Sequence, residues 1–220
     1  MKNELLAPNG KPTNLTAEQY KLVRTDAFKR WFGNWEKDPE NASKVIDENG
    51  EPLVCHHGTQ NNKFAIFDRS KINSKTKTDT SNIGFWFTSS LWEAEGFAYG
   101  FDESERVEGV GRVISAFLNI KKPLNVIDFK KQIKAKFNTK EDIAGMYIEE
   151  HQLKIKEIFD SNDFDGILLE NIFIIQKSNQ VKLADGTNTT FVPSIDDIRF
   201  ERGGETVSGI PDYLQMFLGK

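Results

Sequence analysis

Apolar side chains in the first fifty residues recur at helical spacing in two short runs. The first run follows Thr16 and has Gln19 three residues after it, which is the spacing of a capping box. The second follows Thr25 and ends at Gly33, and its apolar face holds Ala27, Phe28, Trp31 and Phe32. The pattern predicts two short helices that begin at Thr16 and Thr25.

Beyond residue 50 the apolar residues come in short runs separated by turn residues, which is typical of strands. The predicted strands cover residues 53–57, 83–88, 113–120, 124–127, 167–169 and 171–176, and the last two form a hairpin. Ser90 is predicted to cap a helix with Glu93 in the reciprocal position. Further helices are predicted at 128–137 and 140–159, and a mobile loop at 68–82. Partly segregated strands and helices with hairpin connections indicate an α+β fold with antiparallel sheets.

Length and composition indicate one main domain with appended segments. The chain has 220 residues, which we divide into an N-terminal helical extension (1–50), a main domain (51–200) and a C-terminal tail (201–220). A net charge of −4 argues against a general nucleic-acid binder. Cys55 is the only cysteine, so no intrachain disulfide can form and the cytoplasm is the expected location. No apolar run approaches the roughly 20 residues that span a bilayer, so no membrane partner is expected.

Three segments carry the candidate chemistry, namely VCHHGT (54–59), GFWFT (84–88) and LLENIFIIQKSNQV (168–181). Strand alternation places His57 on one face and His56 on the other. Gly58 permits a ligand to approach the backbone closely, although a hydrogen-bonded core histidine is an equally simple interpretation of the HG pair. Trp86 and an aromatic residue of the next helix, Phe97 or Tyr99, form two faces that suit a flat cation. Such a contact contributes roughly 0.5–2 kcal/mol.

Other chemistries fit the same residues less well. Cys55, His56 and His57 are adjacent and cannot all point one way, which disfavours a metal site. A cysteine–histidine hydrolase lacks an evident third group to orient the histidine. A glycine-rich phosphate-binding loop is not found in the sequence.

In order and spacing the three segments resemble the histidine-type ADP-ribosyltransferases, the superfamily of the diphtheria toxin and poly(ADP-ribose) polymerase catalytic domains. Those proteins carry a strand-end HG, a G-x-Y-F strand with a second aromatic residue on the next helix, and a glutamate that opens a late strand. Over almost the whole chain, segments such as TDAFKRWFGNW and FDGILLEN resemble the ADP-ribosyltransferase domain of phage and mobile-element polyvalent proteins. The resemblance implies split antiparallel β-sheets with flanking helices.

The resemblance also implies NAD⁺ as co-substrate and no metal. His57 matches the catalytic histidine that hydrogen-bonds the ribose beside the nicotinamide, and Gly58 matches the residue whose backbone holds the carboxamide. Trp86 and Phe97 match the pair that stacks on the nicotinamide. The full set of residues implied to bind NAD⁺ is His57, Gly58, Thr59, Trp86, Phe97, Tyr99 and Ile172.

The third motif departs from the family pattern. Ile172 stands where the catalytic glutamate belongs, and Glu170 lies two residues earlier. In one mechanism a strand bulge lets Glu170 act as the second catalytic residue. In the other the position is empty and an acidic acceptor supplies the carboxylate. Both mechanisms predict transfer of single ADP-ribose units, because chain elongation needs that glutamate to activate a ribose hydroxyl.

The sequence therefore predicts a mono-ADP-ribosyltransferase that cleaves the nicotinamide glycosidic bond of NAD⁺ and modifies a macromolecule. A host protein in the host-cell cytoplasm is favoured over nucleic acid as the acceptor. Two alternatives are a catalytically degenerate binding module of a phage protein and an NAD⁺ glycohydrolase. RNA 2′-phosphotransfer is less favoured, since it should need several arginines and only Arg69 and Arg112 are close in sequence to the motifs.

Overall fold

A computed structural model describes residues 4–60, 64–72, 83–101, 111–125 and 164–199. Its α-helices in these ranges are α1 (Ala17–Val23), α2 (Asp26–Phe32) and α3 (Leu91–Tyr99). The predicted helices at 128–137 and 140–159, most of the predicted loop at 68–82 and the predicted tail at 201–220 lie outside the described residues.

The predicted helix caps of the N-terminal segment are confirmed. Thr16 and Gln19 form a reciprocal capping box at the start of α1, and the Thr25 hydroxyl accepts a hydrogen bond from the Phe28 amide. Gly33 ends α2 with a φ of 100°, and a Cβ at this position would lie 2.3 Å from the Ala42 Cα. Only glycine fits this position, because both the backbone conformation and the space exclude a side chain.

Within the described ranges, seven strands form one mixed sheet. They are β1 (Cys55–Thr59), β2 (Phe85–Thr88), β3 (Arg112–Leu118), β4 (Pro123–Asn125), β5 (Gly166–Leu169), β6 (Ile172–Ile175) and β7 (Val181–Leu183). Their order across the sheet is β4-β5-β6-β2-β1-β3-β7. β5 and β6 form the predicted hairpin, whereas β7 was not predicted. The α+β class and the transferase-like sheet are therefore confirmed.

Strand direction and strand bounds also differ from the prediction. β4 and β5 are parallel rather than antiparallel, and their connection (126–165) is long enough for the crossover that a parallel pair requires. β1 begins two residues later than predicted, because the Leu53 amide donates to the Val45 carbonyl outside the sheet, 3.1 Å away.

The sheet is split between β1 and β2. β2 pairs with β6 over four residues and β1 pairs with β3 over five, but β1 and β2 pair only at His56↔Thr88. We call β4-β5-β6-β2 and β1-β3-β7 the two half-sheets. Beyond the His56↔Thr88 pair, on the side of His57, no further β1–β2 pair is described, and we call this interruption of the pairing the opening.

Strand register assigns the site residues to opposite faces of the sheet. Thr88 pairs with both His56 and Ile172, so these three side chains share one face with Trp86. His57 points to the other face, which packs into the main hydrophobic cluster with Cys55 and Phe87. The N-terminal helices join the body of the protein through an aromatic cluster in which the Phe28 ring lies 5.1 Å from Phe117 and 4.9 Å from Phe191.

Lys182 of β7 gives the fold a testable pH dependence. Its side chain is fully buried and its Nζ donates to the Ile195 carbonyl at 2.6 Å, and burial lowers its pKa to about 8 while Asp196 and Asp197 oppose this shift. An unfolded lysine keeps its proton up to about pH 10.4, so between about pH 8 and 10.4 the unfolded chain binds more protons at this residue. Lys182 therefore makes the free energy of unfolding rise with pH in that window.

We expect Lys182→Met to remove this rise. Urea unfolding at pH 7.5 and 9.5 should show wild type gaining about 1 kcal/mol or more relative to the variant. Lys177→Met, at an exposed lysine of the same segment, serves as the control and should keep the wild-type slope. If the free energy of unfolding changed equally with pH in wild type and Lys182→Met, the expectation would be contradicted.

Candidate functional site

His57 lies in the opening between the half-sheets. Its Nδ1 is 2.7 Å from the Trp86 carbonyl oxygen, and its ring packs among Phe64, Phe67 and Phe87. A carbonyl only accepts, so Nδ1 carries the proton and the neutral ring keeps a lone pair on Nε2. Burial lowers the pKa of His57, and the hydrogen bond to Trp86 opposes this shift only in part. The arrangement favours a neutral imidazole that can accept a hydrogen bond from a hydroxyl group.

The adjacent His56 has a separate environment on the opposite face. Its Nδ1 lies 2.9 Å from the Ser115 Oγ on β3. Burial lowers its pKa, and the charge of Glu95 opposes the shift. The two neighbouring histidines thus lie on opposite faces of the sheet and have different partners. Of the two side chains, only that of His57 makes a described hydrogen bond to β2.

Gly58 is covered by α3. A Cβ built on Gly58 would lie 1.9 Å from the Ala94 carbonyl oxygen and 2.9 Å from the Ala98 nitrogen. Glycine is therefore required here by helix packing, which the sequence alone did not reveal. Gly58 pairs with Val113 of β3, and the described pairing with β2 stops at His56. The backbone of Gly58 consequently lies at the edge of the opening.

The two predicted stacking rings lie on the α3 side of the sheet. Trp86 is partly buried against an apolar cluster that includes Ile167 and Ile174. Phe97 is 61% exposed, and its ring centroid lies 5.3 Å from that of Phe101. Among the described ring pairs, Trp86 and Phe97 are not in contact with each other.

Thr59 and Tyr99 lie at the ends of their elements. Thr59 ends β1 and pairs with Arg112 of β3. Tyr99 ends α3 and is 37% exposed, and its Cδ1 would lie 2.9 Å from a Cβ on Gly111. The structure thus keeps Tyr99 against the start of β3.

Ile172 and Glu170 lie at the turn of the β5–β6 hairpin. β5 and β6 pair residue for residue from Leu169↔Ile172 to Gly166↔Ile175, so the bulge expected for a catalytic Glu170 is not formed. Glu170 is exposed in the two-residue turn with a φ of 46°. Ile172 is partly buried and packs against the same apolar cluster as Trp86.

A carboxylate from α3 lies beside this turn. Glu93 Oε2 accepts a hydrogen bond from the Thr88 hydroxyl at 2.5 Å, and both of its oxygens lie 3.0 Å from the Asn171 Nδ2. Ser90 caps α3 through the Glu93 amide, as predicted. The expected reciprocal bond is not formed, because the Ser90 amide donates to the Thr88 hydroxyl instead. Sequence reasoning treated Glu93 only as a cap residue.

The family of the chain follows from its sequence match. Residues 47–191 match the family model described as ADP-ribosyltransferase in polyvalent proteins, which covers well over half of the chain. The chain belongs to this family. No curated protein and no solved structure matched the chain.

Within this ADP-ribosyltransferase, the arginines considered for RNA 2′-phosphotransfer are already engaged. Arg69 donates to the Gln176 side chain, and Arg112 donates to the Phe64 carbonyl with its guanidinium 5.0 Å from the Phe64 ring centroid. The charge of Arg112 adds to the lowering of the His57 pKa. Burial lowers the pKa of Arg112, and the charge of Arg199, which sequence reasoning missed, lowers it further.

The described part of the transferase holds neither a cluster of metal ligands nor a membrane span. No group of three histidine, cysteine, aspartate or glutamate side chains in the described ranges is arranged to hold a metal ion. The helices in these ranges are too short or too polar to traverse a bilayer.

Proposed function

We propose that this ADP-ribosyltransferase cleaves NAD⁺ at the nicotinamide glycosidic bond and transfers one ADP-ribose unit to a macromolecule. The observation that carries the proposal is the hydrogen bond from His57 to the Trp86 carbonyl, which holds the imidazole in the opening beside Gly58. In this position the Nε2 of His57 accepts a hydrogen bond from a ribose hydroxyl. His57 thereby orients the ribose and need not act as a general base.

The nicotinamide ring binds at the opening next to Gly58, where both half-sheets can contact the ligand. Trp86 and Phe97 supply the aromatic faces, Gly58 supplies backbone groups for the carboxamide, and Thr59, Tyr99 and Ile172 complete the lining. A pyridinium ring between two aromatic faces gains roughly 0.5–2 kcal/mol. That contribution is lost when the ring leaves as neutral nicotinamide, which favours product release.

The bond between the ribose anomeric carbon and the pyridinium nitrogen breaks heterolytically. Its electron pair goes to the nicotinamide ring, which becomes neutral, and the ribose carries the positive charge as an oxocarbenium ion. A nucleophilic oxygen or nitrogen of the acceptor then forms the new bond and releases its proton to solvent. Single-unit transfer is supported by Ile172, whose side chain cannot activate a further ribose hydroxyl. The acidic balance of the chain favours a protein acceptor over nucleic acid.

Nicotinamide release is the direct test of the proposal. Purified protein is incubated with NAD⁺ and a host lysate, and free nicotinamide is measured by chromatography. A parallel reaction with labelled NAD⁺ is analysed by mass spectrometry for modified macromolecules. Release together with a labelled protein supports the transferase, whereas release without any labelled macromolecule supports the glycohydrolase. A labelled nucleic acid would contradict the protein acceptor.

A binding module without turnover is the second candidate, and the observation that favours it is Ile172 at the third-motif position. It predicts that NAD⁺ binds measurably by calorimetry while nicotinamide is not released. Neither binding nor release would contradict both candidates.

Phe97 offers a clean test of the nicotinamide contact, because it is exposed and contributes little to the core. We expect Phe97→Ala to raise KM for NAD⁺ about tenfold, the equivalent of 1.4 kcal/mol, with the melting temperature unchanged. Trp92→Ala is the matched control, since Trp92 is 67% exposed on the same helix and also packs on Phe101. Equal KM values for the two variants would remove Phe97 from the site.

A further inference from the structure

We infer that Glu93 of α3 supplies the carboxylate that supports the ribose during cleavage; this inference rests on the proposed function. Thr88 is the residue that joins the two half-sheets, and it pairs with Ile172 on one side and with His56 on the other. Glu93 accepts the hydroxyl hydrogen of this same Thr88. Its carboxylate therefore lies on the face that Ile172 and Trp86 share, at the origin of the opening.

Capping does not account for the position of this side chain. A glutamate three residues after a serine cap ordinarily bends back to the amide of the cap residue. Here the Ser90 amide is satisfied by Thr88, and the Glu93 side chain reaches instead to β2 and to the β5–β6 turn. The carboxylate is thus free of its usual local partner.

The contacts of Glu93 fix its orientation and leave it capacity for a ligand. Thr88 and Asn171 make three contacts with its two oxygens. An ionised carboxylate has about four acceptor positions, so one remains on Oε1 among the described contacts. The side chain is partly exposed, and solvent or a ligand can reach it. A negative group held in place before the reaction stabilises developing positive charge without reorganising.

In the proposed reaction, the remaining acceptor position of Glu93 takes a hydrogen bond from a hydroxyl of the ribose. The negative charge of Glu93 stabilises the oxocarbenium ion as the electron pair leaves with nicotinamide, and no proton is transferred to Glu93. Because one acceptor position serves one hydroxyl, Glu93 has none left to activate a second ribose. This count agrees with transfer of single units.

The test compares two variants with wild type. Glu93→Gln removes the charge and keeps the size, and Glu95→Gln removes the same charge from an exposed position two residues along α3. Nicotinamide release gives kcat and KM, calorimetry gives Kd for NAD⁺, and thermal unfolding gives Tm. We expect Glu93→Gln to lower kcat at least tenfold with Kd and Tm near wild type, and Glu95→Gln to keep kcat within threefold of wild type.

A rescue variant separates a chemical from a structural effect. In the Glu93→Gln background, Ile172→Glu puts a carboxylate on the neighbouring strand and the same face, and we expect it to restore part of kcat. Turnover of Glu93→Gln within threefold of wild type would overturn the inference and leave the proposed function standing. A loss of turnover that comes with a matching fall in Tm and is not rescued by Ile172→Glu would also overturn it. A wild-type protein that releases no nicotinamide would overturn the proposed function and the inference together.

Discussion

Replacing His57 with asparagine should lower the rate of nicotinamide release about 100-fold, which corresponds to roughly 2.7 kcal/mol of transition-state stabilisation. Asparagine can still donate to the Trp86 carbonyl, as the Nδ1 of His57 does. It does not present the imidazole Nε2 lone pair at the same place, so the ribose loses its oriented partner. Initial rates at saturating NAD⁺ measure the effect.

The adjacent histidine provides the control for this prediction. His56→Asn changes the same side chain one residue earlier, on the face where His56 contacts Ser115. We expect its rate to stay within about threefold of wild type. If both variants lost the same activity, the distinction between the two faces of β1 would be wrong. If neither lost activity, His57 would have no part in turnover.

Replacing Gly58 with alanine should cost about 3 kcal/mol of unfolding free energy and abolish turnover at the same time. The new Cβ would lie 1.9 Å from the Ala94 carbonyl oxygen. No side-chain rotation relieves this clash, because the β1 backbone fixes the Cβ and the α3 backbone fixes the carbonyl. α3 must therefore move away from β1, and it carries both Phe97 and Glu93 with it. Urea unfolding measures the stability, and nicotinamide release at a temperature where the variant is folded measures the activity.

Gly186→Ala is the matched control for Gly58→Ala. A Cβ on Gly186 would meet open space, and the φ of this residue is 89°, so alanine there introduces backbone strain alone, about 1–2 kcal/mol. We expect it to keep full turnover. A Gly58→Ala variant no less stable than Gly186→Ala would contradict the packing of α3 described here.

Local signals in the sequence were sufficient for the elements that frame the site. The caps at Thr16, Thr25 and Ser90 and the hairpin at Glu170 follow from hydrogen-bonding groups within a few residues of one another. The α+β class follows from the order of the strands, and the family from the motif residues, which lie within the matched range 47–191.

Local sequence signals do not predict contacts between segments that are distant along the chain. Glu93 was assigned to a capping box because sequence spacing does not reveal that Thr88 takes the Ser90 amide. Asn171, which holds the same carboxylate, is 78 residues away along the chain. The need for glycine at position 58 likewise depends on α3 lying across β1, and the parallel β4–β5 pair depends on a long crossover.

Among the described residues, β1 and β2 pair only at His56↔Thr88, so the stability of the contact between the half-sheets and the binding of a ligand in the opening depend on each other. In the proposed complex, a dinucleotide that contacts His57 and Gly58 on one half-sheet and Trp86 on the other would hold the half-sheets together where the described residues form one β1–β2 pair. By linkage, the free energy with which the dinucleotide stabilises the contact between the half-sheets also contributes to its own binding affinity. A substitution that weakens the contact between the half-sheets, even far from the reacting atoms, would therefore also weaken dinucleotide binding.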